Sequence, residues 1–279
     1  MIKEELLILT SVILGAFGAH KLNDLLNNEQ INSFKELGYV FIENVFDSVE
    51  VSRMNKELPR LYSMDKEQIQ REKDGKAVRT VFAAHELSKV FSDLSRHPRI
   101  VEPAKQLLGG DVYIHQFKVN GKEAFDGDLW QWHQDYGTWK NDDGMPEGLA
   151  LNVGLFLDDV SQFNGPLNFI PRSHRDGYIE AKHDVTTTSY PLWTINNETI
   201  TKLVEKGGIV APQGKAGSMI LFDSTLVHGS PSNMSPWSRT IVYISLNRTS
   251  NYIRKFNRPE YKAHRDFTPI TCVDDSCLR

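Results

Sequence analysis

A change of rhythm near residue 110 constrains the fold more than any other feature of the sequence. Before it, apolar side chains recur at helical spacing. After it, short alternating or wholly apolar runs are separated by turn residues, with no regular alternation of strand and helix. Residues 27–37 read as a helix closed by Gly38, and residues 39–42 as a short strand. Residues 48–62 place Val51, Met54, Leu58 and Leu61 on one helical face. Residues 63–76 are densely charged and read as a mobile surface segment. Residues 87–108 read as helical, broken near Pro98 and Pro103. Strand-like runs then follow at 112–120, 130–135, 149–157, 167–170, 209–210, 218–222 and 240–246. This order predicts a mainly β fold: a double-stranded β-helix, or jelly-roll and cupin-like barrel, with flanking N-terminal α-helices. Residues 185–206 interrupt the strands, and read either as a lid over a site or as a passive surface loop.

Bulk properties remove several function classes. A length of 279 residues suits one large domain, 28–279, preceded by an apolar segment or helix over 1–27. The net charge of −4 and the lack of a basic stripe argue against a nucleic-acid partner. Residues 6–19 are nearly all apolar but too few to span a bilayer, so no stable membrane span is expected. A cytoplasmic chain is the expectation, with that segment leaving secretion or anchoring open. The two cysteines, Cys272 and Cys277, sit in the C-terminal tail and read as thiols in a reducing compartment.

The chemistry concentrates at Trp132-His133-Gln134-Asp135. In a strand, residues i and i+2 share a face, so His133 and Asp135 would project an imidazole and a carboxylate together. A second imidazole is available at His228, after an apolar run and before Gly229. Two imidazoles and one carboxylate leave open positions on a metal, the arrangement suited to non-haem iron(II) and O2. Arg239 follows His228 by one turn and the start of a strand. Its guanidinium can fork a carboxylate, and the Ser230 hydroxyl can join it. A dicarboxylic co-substrate held by the metal at one end and by Arg239 at the other fits these positions. The remaining histidines read as structural. His20, His85, His97, His183 and His264 lie in polar or helical settings, His174 follows a strand, and His115 is out of phase with Gln116.

Four stretches together resemble the phytanoyl-CoA dioxygenase family of iron(II)/2-oxoglutarate oxygenases. They are His133-x-Asp135, residues 158–177 with Asn-Gly-Pro-Leu and Pro-Arg-Ser-His, His228-Gly229-Ser230, and Arg239. The segment from Trp132 to Trp139, with Asp143-Gly144-Met145-Pro146, is similar to the signature of the ectoine hydroxylases within that family. The resemblance implies Fe(II) at His133, Asp135 and His228, and 2-oxoglutarate contacts at Gln116, Asn120, Trp130, Ser230 and Arg239. It implies a substrate pocket near Gln116, Trp139, Ala150, Asn152, Phe222 and Tyr243. The sequence departs from the ectoine hydroxylase signature where Gly137 replaces an acidic residue and where Asn152 replaces a usual Ser. The implied reaction is hydroxylation of an unactivated C–H of a small polar or zwitterionic metabolite. Retention of Asp135, which related halogenases lack, favours hydroxylation over halogenation. Desaturation or cyclisation of another natural product, and a non-catalytic binding protein on the same barrel, are the alternatives. A homodimer is compatible with the resemblance.

Overall fold

The structure is a computed structural model and describes residues 26–279. The apolar helix or segment expected over 1–27 therefore lies almost wholly outside the described residues. The chain opens with α1 (Asn28–Leu37), β1 (Tyr39–Ile42), α2 (Ser48–Asn55), α3 (Leu58–Tyr62), β2 (Ile69–Arg71) and β3 (Val78–Phe82). Next come α4 (Ala84–Leu87), α5 (Lys89–Ser95), α6 (Pro98–Leu108), β4 (Val112–Lys122), β5 (Trp130–His133), α7 (Asp135–Asp143), β6 (Ala150–Phe156) and β7 (Asn168–Phe169). The last elements are β8 (Lys182–Asp184), β9 (Leu192–Thr194), α8 (Asn197–Gly207), β10 (Met219–Asp223), β11 (His228–Ser230) and β12 (Arg239–Arg248).

The strands form two antiparallel sheets, the double-stranded β-helix that the rhythm of the sequence predicts. The larger has seven strands in the order β1-β10-β6-β12-β4-β3-β2, the smaller five in the order β7-β11-β5-β9-β8. Strand alternation sorts the larger sheet's side chains by face. Leu151, Val153, Leu155, Val242, Ile244 and Leu246 pack outward against Phe34, Val51, Met54 and Leu61 of the N-terminal helices. Phe156, Ile220, Phe222, Ile241 and Tyr243 face the other way and meet Phe169 of the smaller sheet. Each fully buried side chain of this kind contributes about 1.5–3 kcal/mol. Because both faces are covered, β6 and β12 read as nearly continuous apolar runs.

Local chemistry sets the helix ends. Asn27 and Gln30 form a reciprocal capping box on α1. Gly38 closes α1 at φ +87°, and a Cβ there would come within 2.6 Å of His174 Nδ1. The expected helix over 48–62 is two helices, with Pro59 in the first turn of the second. Pro98 starts α6, whereas Pro103 sits inside it without ending it. The charged stretch 63–76 is not simply a mobile segment: it contains β2, which pairs with β3 at the edge of the larger sheet. The insertion over 185–206 is structured too. It supplies β9, which pairs with β8 and β5, and most of α8.

Candidate active site

The site grows from one register. His133 at the end of β5 lies directly opposite His228 at the start of β11. Their ring centroids are 4.2 Å apart. The strand ends at His133, earlier than the sequence suggests, and Asp135 is the first residue of α7. Gln134 between them keeps an extended backbone, so His133 and Asp135 still project together. The two carboxylate oxygens divide between the imidazoles: His133 Nε2 is 3.7 Å from Asp135 Oδ1, and His228 Nε2 is 3.7 Å from Asp135 Oδ2.

Backbone contacts set the tautomers. With Nδ1 protonated, His133 donates to Gln131 O at 2.6 Å and His228 donates to Leu226 O at 2.9 Å. Each Nε2 then turns a lone pair toward Asp135, as a metal ligand requires. Burial, then the charge of His133, pushes the His228 imidazole down to about 3, so it is neutral and ready to ligate. Burial alone would raise the Asp135 carboxyl, but Lys118 and the two imidazoles hold it well below the usual carboxylate range. Asn152 Nδ2 donates to Asp135 Oδ2 at 2.8 Å, and Ser245 Oγ donates to Asn152 Oδ1 at 2.6 Å. Two imidazoles and an anchored carboxylate fit one divalent iron with open positions.

A second anchor lies in the same cavity. Arg239, at the start of β12, is buried, and its Nη2 donates to Gly165 O and, at 3.2 Å, to Ser230 Oγ. Its Nε is buried with no hydrogen-bond partner among the described residues. Burial lowers the Arg239 pKa, with Tyr243 and Asp158 opposing. A buried guanidinium with a spare donor is suited to an arriving carboxylate.

The structure brings most of the expected residues together. Gln116, Asn120, Trp130, Ser230 and Arg239 line the triad's cavity, as do Trp139, Phe222 and Tyr243. Ala150 and Asn152 do not line it. Ala150 packs with Tyr136, Trp139 and Met145, and Asn152 lies behind Asp135, spending its amide on the carboxylate. Three polar groups escaped the sequence reading: Lys118, Thr138 and Arg258 also line the cavity. Alternation could have found Lys118, which shares its strand face with Gln116 and Asn120. No periodicity marks Arg258, which reaches in from the irregular tail and is held by Asp143 through Nε at 2.7 Å and Nη2 at 2.5 Å. Tyr190 and Leu192 of the insertion complete the wall, so that segment encloses the site.

Comparison with known proteins identifies the family. The phytanoyl-CoA dioxygenase (PhyH) family profile matches residues 34–241. An ectoine dioxygenase of Nocardia farcinica is 37% identical over 88% of this chain and 87% of its own length. An L-proline trans-4-hydroxylase of Streptomyces griseoviridis is 32% identical over 85% of this chain and 92% of its own. EctD from S. alaskensis, solved with 2-oxoglutarate and 5-hydroxyectoine, superposes with a TM-score of 0.80 at 33% identity, covering 90% of this chain and 89% of that one. With the family match running through the barrel and such relatives along nearly the whole chain, this protein belongs to the phytanoyl-CoA dioxygenase family of iron(II)/2-oxoglutarate oxygenases.

Proposed function

We propose that the chain is an iron(II)- and 2-oxoglutarate-dependent dioxygenase that hydroxylates an unactivated C–H bond of a small zwitterionic metabolite, ectoine-like or amino-acid-derived. One observation carries this reading: His133, Asp135 and His228 share a buried cavity with Arg239 and Ser230. When bound, iron(II) supplies the oxidative chemistry that couples decarboxylation of 2-oxoglutarate to hydroxylation by O2. The triad would hold the ion, and Arg239 with Ser230 would receive the far carboxylate of 2-oxoglutarate. Gln116, Asn120 and Trp130 would bound the co-substrate side, while Tyr190 and Leu192 exclude water.

Charge narrows the substrate. The cavity is lined by three cations, Lys118, Arg239 and Arg258, and by one carboxylate, Asp135. Asp135 is committed to the metal, Arg239 to the co-substrate, and Arg258 is paired through Nε and Nη2 with Asp143. Lys118, whose charge burial disfavours and a carboxylate would restore, is therefore the group left to meet a substrate carboxylate, with the remaining Nη1 of Arg258 beside it. Trp139, Phe222 and Tyr243 offer aromatic faces to a cationic or ring portion. The ectoine dioxygenase and the L-proline trans-4-hydroxylase among its relatives are both named for substrates of this kind. Free Cys272 and Cys277 suit the reducing cytoplasm in which we place the enzyme. A homodimer is its proposed assembly, which light scattering would read.

The test is iron-dependent succinate formation with ectoine, L-proline and a panel of related zwitterions, with product mass reading a single added oxygen. Substrate-stimulated succinate with one of them supports the proposal. Failure to bind iron or 2-oxoglutarate, or no stimulation by any zwitterion, would overturn it. A product two hydrogens lighter would replace hydroxylation with desaturation.

A further inference from the structure

Two histidines that read as structural in the sequence meet at a second site. His85 and Glu86 lie on α4, and His264 lies in the C-terminal tail. We infer that His85, Glu86 and His264 bind a borderline divalent ion, zinc in the first instance, and that this ion pins the tail to the barrel. Each residue offers one ligand atom, and the three atoms lie within 4.8 Å of one another. His264 Nδ1 is 3.4 Å from Glu86 Oε1. The two rings meet edge to face at 4.7 Å, and the His85 ring is backed by Phe117 at 4.9 Å, so neither is free to turn away.

The protein leaves this cluster unsatisfied. His85 Nδ1 and His264 Nε2 are buried with no hydrogen-bond partner among the described residues. Unpaired buried ring nitrogens are uncommon in a folded protein. Burial pushes the His85 imidazole down to about 4 and that of His264 to about 3. Both are neutral at pH 7, so an ion displaces no proton from them. Burial, then the charge of Glu260, raises the Glu86 carboxyl. A cation would relieve that repulsion. The Glu86 side chain is 51% exposed, which gives an ion a way in and leaves room for a water as fourth ligand. Two imidazoles, one carboxylate and water make a four-coordinate zinc set.

The site sits where the tail is fastened. Gln116 Nε2 donates to Lys262 O at 2.6 Å, and the His264 N–H donates to His115 O at 2.9 Å. The same tail carries Arg258 into the catalytic cavity. An ion at His264 would thus steady the segment that presents Arg258. This inference is independent of the substrate proposed above.

The experiment uses tag-free, chelator-stripped protein titrated with zinc chloride by calorimetry. A His133→Ala/His228→Ala variant, with the triad silenced, is expected to bind one zinc per chain with a rise in Tm. Adding Glu86→Gln or His264→Gln should weaken that binding at least tenfold and abolish the Tm rise. Glu86→Gln changes a half-exposed side chain and keeps its shape, so it reads the site even if His264→Gln misfolds. In the wild-type chain the same titration should count two zinc ions, falling to one in Glu86→Gln. No stoichiometric zinc in the silenced variant, or binding undiminished by Glu86→Gln, would overturn the assignment.

Discussion

Asn152→Ala isolates the support beneath Asp135, the carboxylate of the proposed metal site. The Asn152 amide donates to Asp135 Oδ2 at 2.8 Å and is itself held by Ser245 Oγ at 2.6 Å. A hydrogen bond to a buried charged acceptor contributes about 1.5–3 kcal/mol. At about 1.4 kcal/mol per tenfold, its loss should weaken iron(II) binding roughly 10- to 100-fold. Losses of about 10–100-fold are also the general experience with groups that orient metal ligands. Ser245→Ala removes only the group that orients Asn152, so it should cost less. The double variant should fall little beyond Asn152→Ala alone, because both substitutions break one chain of contacts. Anaerobic iron(II) titration of folded protein reads the affinity directly, and KM for substrate is measured alongside. If Asn152→Ala left iron affinity unchanged while raising the substrate KM, Asn152 would be a substrate contact and not a support for Asp135.

Four further outcomes are expected. Arg239→Lys keeps the charge but loses the fork, so the apparent 2-oxoglutarate affinity should fall about 10-fold or more if one charge-assisted bond is lost; unchanged affinity would remove the assignment. Asp143→Asn should destabilise the fold by about 3–5 kcal/mol at neutral pH, because it strands the Arg258 guanidinium. Burial alone would raise the Asp143 carboxyl, but His115 and Arg258 hold it below its ordinary value. Its contribution is therefore present above the unfolded carboxylate pKa of about 3.9 and lost as pH falls further. Denaturant melts of the two proteins should converge below about pH 4, and a constant gap would contradict this. Gly137→Ala should stabilise by about 0.4–1 kcal/mol, because its Cβ would meet Trp193 Cβ at a comfortable 3.9 Å inside α7. Gly217→Ala should instead destabilise strongly, since φ is +89° and its Cβ would fall 2.0 Å from Phe46 O; thermal melts compare the two.

The legible part of this molecule was the part governed by period. Alternation along β4, β6 and β12 sorts core from cavity, and the triad with Arg239 could be named because each member sits at or beside a strand end. The missed element beside the His133, Asp135 and His228 cluster, α7, has no apolar stripe and contains Gly137, Thr138 and Asn141, all weak helix formers. Its helix is fixed by burial and by Gly144 at its C-terminus, which are tertiary facts. The depth of Asn152 is illegible in the sequence for a related reason. Alternation gives the face correctly, but it says nothing of depth, and Asp135 stands between Asn152 and the cavity. Arg258 and the pairing of His85 with His264 depend on a tail that crosses the sheet without regular structure, so no spacing announces them. The β2–β3 edge was hidden by charge, which edge strands commonly carry.

The pairing of His133 with His228 has a consequence for stability. β5, β7 and β11 are only four, two and three residues long, whereas β4 and β12 run for eleven and ten. So few ladder bonds hold the smaller sheet weakly by themselves. A slip of one residue between β5 and β11 would turn one histidine to the opposite face. Metal affinity is therefore linked to correct closure of the smaller sheet, and by that linkage the ion must favour the closed sheet in return. Amide exchange should slow on iron binding along β5 and β11 and change little along β4 and β12.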